Sequence, residues 1–252
     1  MVVLLLVGIG ATALAFSPVF AVTEVRVTGV EGPRADHVRR MVTVPMGSPL
    51  LTANLSRTED SVRQVPWVAT VEVRRVLPTS LHVDVVTRTP VLLVKDNGEH
   101  WQLDDEGVVV AAGDIDELPV VEAQAAILPP AGEVVRDAAV QNVLAVHNGL
   151  DEELRAHFVR YEAAGPRGAR GLFAIPGSDG DGVWVRFGDA DRIERKSVVT
   201  QLLIDQIQSQ HEARGSAGLS DVAEVDVRAP DNPVVIPDGE ADAVQEPSAP
   251  DG

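Results

Sequence analysis

Residues 74–91 read RRVLPTSLHVDVVTRTPV, and the reading of this stretch decides the fold. Leu81, Val83 and Val85 alternate with His82, Asp84 and Val86, the period of a strand with one buried face. Pro78 has no N–H to give to a ladder, so Leu77–Ser80 is read as the loop of a hairpin. Upstream, Val68, Thr70 and Glu72 share one phase and Val71 and Val73 the other, which gives the first arm. The stretch holds no nucleophile, metal box or phosphate loop. Its regularity serves packing, with Arg88 and Pro90 marking a boundary to whatever follows.

Working outward toward the N-terminus, Val25 and Val27 alternate with Glu24 and Arg26 in a strand that ends at Gly29. Pro33–Val42 is expected to be helical, with Pro33 in the first turn and Val38, Met41 and Val42 facing inward. Met46–Pro49 reads as a turn. A second helix is expected over Leu55–Gln64, with Ser56 as its cap and Glu59 completing a capping box. The order is strand, helix, helix, strand, strand.

Ahead of this module lies MVVLLLVGIGATALAFSPVFAV, residues 1–22, without a charge. At ~1.5 Å per residue it reaches about 33 Å, enough for a hydrocarbon core of ~30 Å. A retained transmembrane helix is expected there, in preference to a cleaved signal peptide, with the bulk of the chain outside the cell membrane.

Beyond Pro90, Val91–Val94 and a return strand carrying Trp101 and Leu103 flank Asp96-Asn97-Gly98, a tight-hairpin signal. Strands are expected at Val108–Val110, Leu118–Val121, Phe158–Glu162, Leu172–Ile175, Val183–Phe187, Val222–Val227 and Val234–Ile236. Helices are expected at Val134–His147 and Arg192–Glu212, the latter with Ile193, Val199, Leu202, Leu203, Ile204 and Ile207 inward. From Pro237 onward five acidic and no basic residues stand among Pro, Gly and Ala, the composition of a disordered tail. The fold class is therefore α+β: a transmembrane helix at 1–22, a β-α-α-β-β domain at 23–89, a mixed-sheet β domain with helices at 90–236, and an acidic tail at 237–252.

Charge narrows the function. Residues 24–89 carry nine Arg against seven acidic residues, whereas residues 90–252 carry 12 basic and 31 acidic ones. So negative a second half repels phosphates and argues against nucleic acid. With no cysteine there is neither a disulfide nor a thiolate metal site. The histidines, 37, 82, 100, 147, 157 and 211, are scattered and read as surface or polar-face residues. Asp104-Asp105-Glu106 reads as a turn rather than an acid–base pair, and Ser178–Gly182 lacks the bidentate Glu of a calcium loop. Asn54-Leu55-Ser56 matches a glycosylation pattern that is common by chance.

Four segments together carry a resemblance: TEVRVTG (23–29), LPTSLHVDVVTRTPV (77–91), WQLDDEGVVV (101–110), and VRFGDADRIERKSVVTQLL (185–203) followed by VAEVDVRAPDNPVVI (222–236). In order and spacing they resemble the bacterial division family FtsQ, called DivIB in Gram-positive bacteria, with its POTRA (polypeptide-transport-associated) module and second β domain. Two features depart from that pattern: no basic leader precedes the apolar run, and an acidic tail follows Ile236. The resemblance implies a non-enzymatic membrane scaffold of the septum with no cofactor. It implies partners of the FtsB/DivIC and FtsL type, both bitopic coiled-coil proteins, and a part in controlling septal peptidoglycan synthesis. It further implies that a partner strand adds beside the last strand, along Val227, Arg228, Ala229, Val234, Val235 and Ile236, with Lys196 as a possible further contact. Two alternatives are weighed: a POTRA-type transport or assembly module, which would show tandem repeats or a long barrel, and an extracytoplasmic enzyme acting through His100 or Asp105.

Overall fold

The structure, a computed structural model, describes residues 1–4, 17–123, 126–175, 182–214 and 222–238, the side chains from 210 to 214 excepted. The chain divides into two units, Met1–Thr89 and Pro90–Gly252.

In the first unit, β1 (Glu24–Thr28), β2 (Val68–Val76) and β3 (Ser80–Thr87) form a sheet of order β1-β3-β2. β3 pairs parallel with β1, Val25 opposite Leu81 and Val27 opposite Val83, and antiparallel with β2. The alternation read at Leu81, Val83 and Val85 holds: all three are buried, each contributing about 1.5–3 kcal/mol of apolar transfer. In β2 a register shift between Val68 and Thr70 lets Val68 and Val73 reach the same core despite their opposite parity. Helix α1 (Gly32–Met41), with Pro33 in its first turn, buries Ala35 and Val38. Gly29 has a φ of +85°, and a Cβ there would stand 1.8 Å from the Val85 carbonyl oxygen, so only glycine fits between β1 and α1.

Helix α2 (Leu55–Arg63) is capped by Asn54, whose Oδ1 accepts from the Arg57 amide at 3.3 Å. Ser56 is therefore inside the helix and there is no capping box. Glu59 instead reaches across to β2, where its Oε1 accepts from the Val73 amide at 3.1 Å.

The expected transmembrane helix is corrected by this unit. Ser17 caps a short 3₁₀ turn over Pro18–Phe20. Ala21 bridges to Pro49, and the Val22 amide donates to the Ser48 carbonyl at 2.9 Å. The Val22 side chain is fully buried in the domain core. The last residues of the apolar run thus pack against protein rather than lipid. Residues 5–16 lie outside the described residues, and among those described no helix is long and apolar enough to cross a membrane.

The second unit is a nine-stranded mixed sheet of order β12-β11-β10-β9-β8-β7-β4-β5-β6. Its strands are β4 (Pro90–Asp96), β5 (Glu99–Asp104), β6 (Val109–Ala112), β7 (Val120–Ala123), β8 (Phe158–Ala163), β9 (Ala169–Ala174), β10 (Gly182–Gly188), β11 (Val222–Asp226) and β12 (Val234–Pro237). The β4–β5 turn is Asn97-Gly98, with φ of +48° and +87°. Helices α3 (Ala138–Gly149), α4 (Glu152–Arg155) and α5 (Ile193–Arg214) complete it. α3 starts later than its apolar spacing predicts, because Val134 bridges to Val108 and the Val135 amide donates to the Gly107 carbonyl; Asp137 then caps the helix.

One row of register partners crosses the sheet through Val94, Val121, Tyr161, Gly171, Val185, Val225 and Val235. Val143 and Val146 of α3 and Ile204 of α5 belong to the core cluster that includes most of this row. At Gly171 a Cβ would lie 2.6 Å from the Phe158 ring, so the glycine makes room for the stacked Phe158 and Tyr161. Leu202, expected inward, is 62 % exposed. The buried face of α5 instead includes Lys196, Ser197 and Thr200. Of the expected tail, Pro237 is the last residue of β12, and residues 239–252 lie outside the described residues.

Candidate functional site

The sheet of the second unit has two outer strands, and they differ. β6 is covered: the Val109 amide donates to the Glu133 carbonyl at 3.0 Å and the Gly132 amide to the Val109 carbonyl at 2.7 Å. β12 pairs with β11 on one side, Val234 opposite Asp226, Val235 opposite Val225 and Ile236 opposite Glu224. Among the described residues nothing pairs with its other side. Val234 is 50 % and Val235 39 % exposed. An unpaired strand with exposed β-branched side chains is a template for another strand.

What holds β12 in place starts one strand back, at the end of β10. Gly188 takes a φ of +72° and turns the chain out of the sheet. Its carbonyl accepts from Asn142 Nδ2 of α3 at 2.7 Å. Beside it, Lys196 of α5 is 2 % exposed, and its Nζ donates to the carbonyls of Phe187 (2.9 Å) and Asp189 (2.8 Å) and to Asp189 Oδ1 (3.1 Å). The hydrogen bond from Lys196 holds the Asp189 carboxyl below the usual carboxylate range. Lys196 thus has its three protons engaged inside the domain and ties α5 to β10.

After β11, the Val227 amide donates to the Arg186 carbonyl at 3.0 Å and its side chain is fully buried. Arg228 folds back on Asp226, with Nη2 2.6 Å from Oδ2, and its stem covers Gly188. Burial raises the Asp226 carboxyl, but hydrogen bonds from the Arg228 side chain and amide outweigh it and leave it lowered. Ala229 opens a turn closed by the Asn232 amide. Asp231, in the same turn, is gripped by Arg192 (3.0 Å) and Arg195 at the start of α5.

The six residues read from the sequence therefore fall in two groups. Val234, Val235 and Ile236 form the open strand. Val227, Arg228 and Ala229 belong to the turn that sets it, and Lys196 stands behind both. Sequence reasoning places Asp231 beside the edge as protection but does not find its partner Arg192, 39 residues away, and it misses Asn142, whose partner lies 46 residues away.

Across the face that carries Val234 runs a charged row. Glu162 pairs with Arg170 at 2.6 Å, and Arg170 lies 4.5 Å over the Trp184 ring. Glu224 is buried between Arg170 and Arg186; its Oε2 accepts from Arg186 Nη2 at 2.9 Å, while Oε1, equally close, is out of hydrogen-bond alignment. His147, expected at a surface, is buried under α3 with its Nδ1 3.1 Å from the Tyr161 hydroxyl.

Comparison with known proteins bears on this arrangement. Residues 20–88 match the model of the POTRA domain, FtsQ-type. The chain is 30 % identical over 155 residues to the cell division protein FtsQ of Streptomyces venezuelae, which covers 60 % of this chain and 57 % of that one. It is 35 % identical over 99 residues to its counterpart in Streptomyces griseus, covering 39 % and 47 %. It is 28 % identical over 208 residues to the one in Mycobacterium tuberculosis, covering 81 % and 62 %. The chain thus spans 47–62 % of the length of these relatives.

Proposed function

Because the chain belongs to the FtsQ/DivIB family of non-enzymatic bacterial cell-division proteins, we propose that it is a scaffold that joins other division proteins at the septal membrane. Its partners are bitopic coiled-coil proteins of the FtsB/DivIC and FtsL type, and through them it helps control septal peptidoglycan synthesis. The contact is strand addition along Val234, Val235 and Ile236, in which main-chain hydrogen bonds supply affinity and alternate side chains supply selectivity. The observation that supports this most is the difference between the two outer strands among the described residues, β6 covered and β12 open.

Two measurements test the reading. Val235→Pro is expected to abolish co-purification with a co-expressed coiled-coil partner while leaving the thermal melt unchanged; undiminished capture sinks the proposed edge. A fluorescent fusion is expected as a band at midcell in dividing cells, and a uniform signal argues against a septal role.

A further inference from the structure

The Val227 amide faces β10, since it donates to the Arg186 carbonyl. Polar groups alternate sides along a strand. Those of Val225 therefore also face β10, and those of Glu224 and Asp226 face β12. Their register partners, Ile236 and Val234, direct their amides at β11. The amide and carbonyl of Val235 point the other way, to the open side. Positions 233 and 237 share that outward phase, and both are proline. Each trans peptide is planar, so the carbonyl preceding an inward amide faces outward. Among the described residues the open side of β12 thus presents the carbonyls of Pro233, Val235 and Pro237 and a single donor, the Val235 N–H.

This inventory treats two kinds of incoming strand differently. A second copy of β12, laid antiparallel with Val235 opposite Val235, exchanges one pair of hydrogen bonds. Pro233 of each copy then meets Pro237 of the other, and neither has an N–H. A segment without prolines makes the same exchange at Val235 and also donates to both proline carbonyls. We propose that Pro233 and Pro237 make β12 selective for an extended, proline-free segment of a different chain, seated with one residue opposite Val235, and bar the strand from pairing with itself. This rests on the strand-addition reading above.

The test restores the missing donors with the double substitution Pro233→Val, Pro237→Val in the full chain. Sedimentation velocity over a concentration series is expected to show self-association tightened on the order of tenfold or more relative to the starting protein. Adding Val235→Pro is expected to reverse it. A double variant that keeps the original melt and sediments unchanged overturns the proposal. Partner capture keeps the two readings apart. If Val235→Pro abolishes capture but the double variant does not self-associate, the role of the prolines fails alone. If the double variant self-associates but Val235→Pro leaves capture intact, the strand-addition reading fails and the bar to self-pairing stands.

Discussion

Replacing Lys196 with methionine separates a structural lysine from a partner contact. The substitution keeps most of the volume, so the cost comes from polar groups. Lys196 Nζ makes hydrogen bonds of 2.8, 2.9 and 3.1 Å, two of them to backbone carbonyls at the end of β10. Leaving two shielded carbonyls without a donor costs about 1–3 kcal/mol each. Asp189 also loses its cation, but its side chain is 32 % exposed, so that share is discounted for solvent screening. The total is about 3–4 kcal/mol, in line with ~3–5 kcal/mol for breaking a buried pair. With a urea slope of about 2 kcal/mol/M, the unfolding midpoint falls by roughly 1.5–2 M. Trp184 in β10 reports the transition by fluorescence. Lys196→Arg is expected to fare little better, because a planar fork cannot aim three protons at these three acceptors. A midpoint shift below about 0.5 M, together with lost partner capture, refutes the internal role and returns Lys196 to the surface.

Two further outcomes are expected. Burial first, and the nearby Arg155 charge second, lower the His147 pKa from 6.5 to about 4, so the unfolded chain takes the proton more readily; stability is complete above pH ~6.5, is lost as pH falls toward ~4, and is down by about 2 kcal/mol at pH 5. Denaturant titrations at pH 7.5 and 5 check this: His147→Gln should flatten the difference, and an equal loss in the variant refutes it. Asp231→Ala removes an exposed clamp worth less than ~1 kcal/mol, so the melt should barely move while partner affinity drops several-fold as the β11–β12 turn loosens; unchanged affinity would show that the turn needs no clamp.

Where side-chain period and local turn chemistry suffice, the sequence was legible. Leu81, Val83 and Val85, the Asn97-Gly98 turn and the strand at Val234–Ile236 follow from neighbours within a few residues. Errors gathered where a distant partner decided the outcome. Glu59 sits three residues after a serine and looks like half of a capping box, yet its carboxylate finds an amide in another element. Leu202, read as inward from its spacing, is exposed, and Lys196 lies inside, where three acceptors at the end of β10 hold it. The apolar run before Glu24 does not reveal how far the folded domain extends into it; Val22 is core only because the turn at 47–49 pairs with its backbone. For the candidate site, the strand could be read locally, whereas the contacts that hold it, Asp231 with α5 and Arg228 over Gly188, could not.

The position of β12 in the sheet has a bearing on when the molecule can act. β12 leans on β11 alone, β11 pairs in parallel with β10 across the 22 residues of α5, and β7 is inserted between β4 and β8. The edge therefore forms only once β10 and β11 are in place. A molecule in which β10 or β11 is not seated exposes no template. If a partner strand adds there as proposed, recognition of the edge would double as a check that folding is finished.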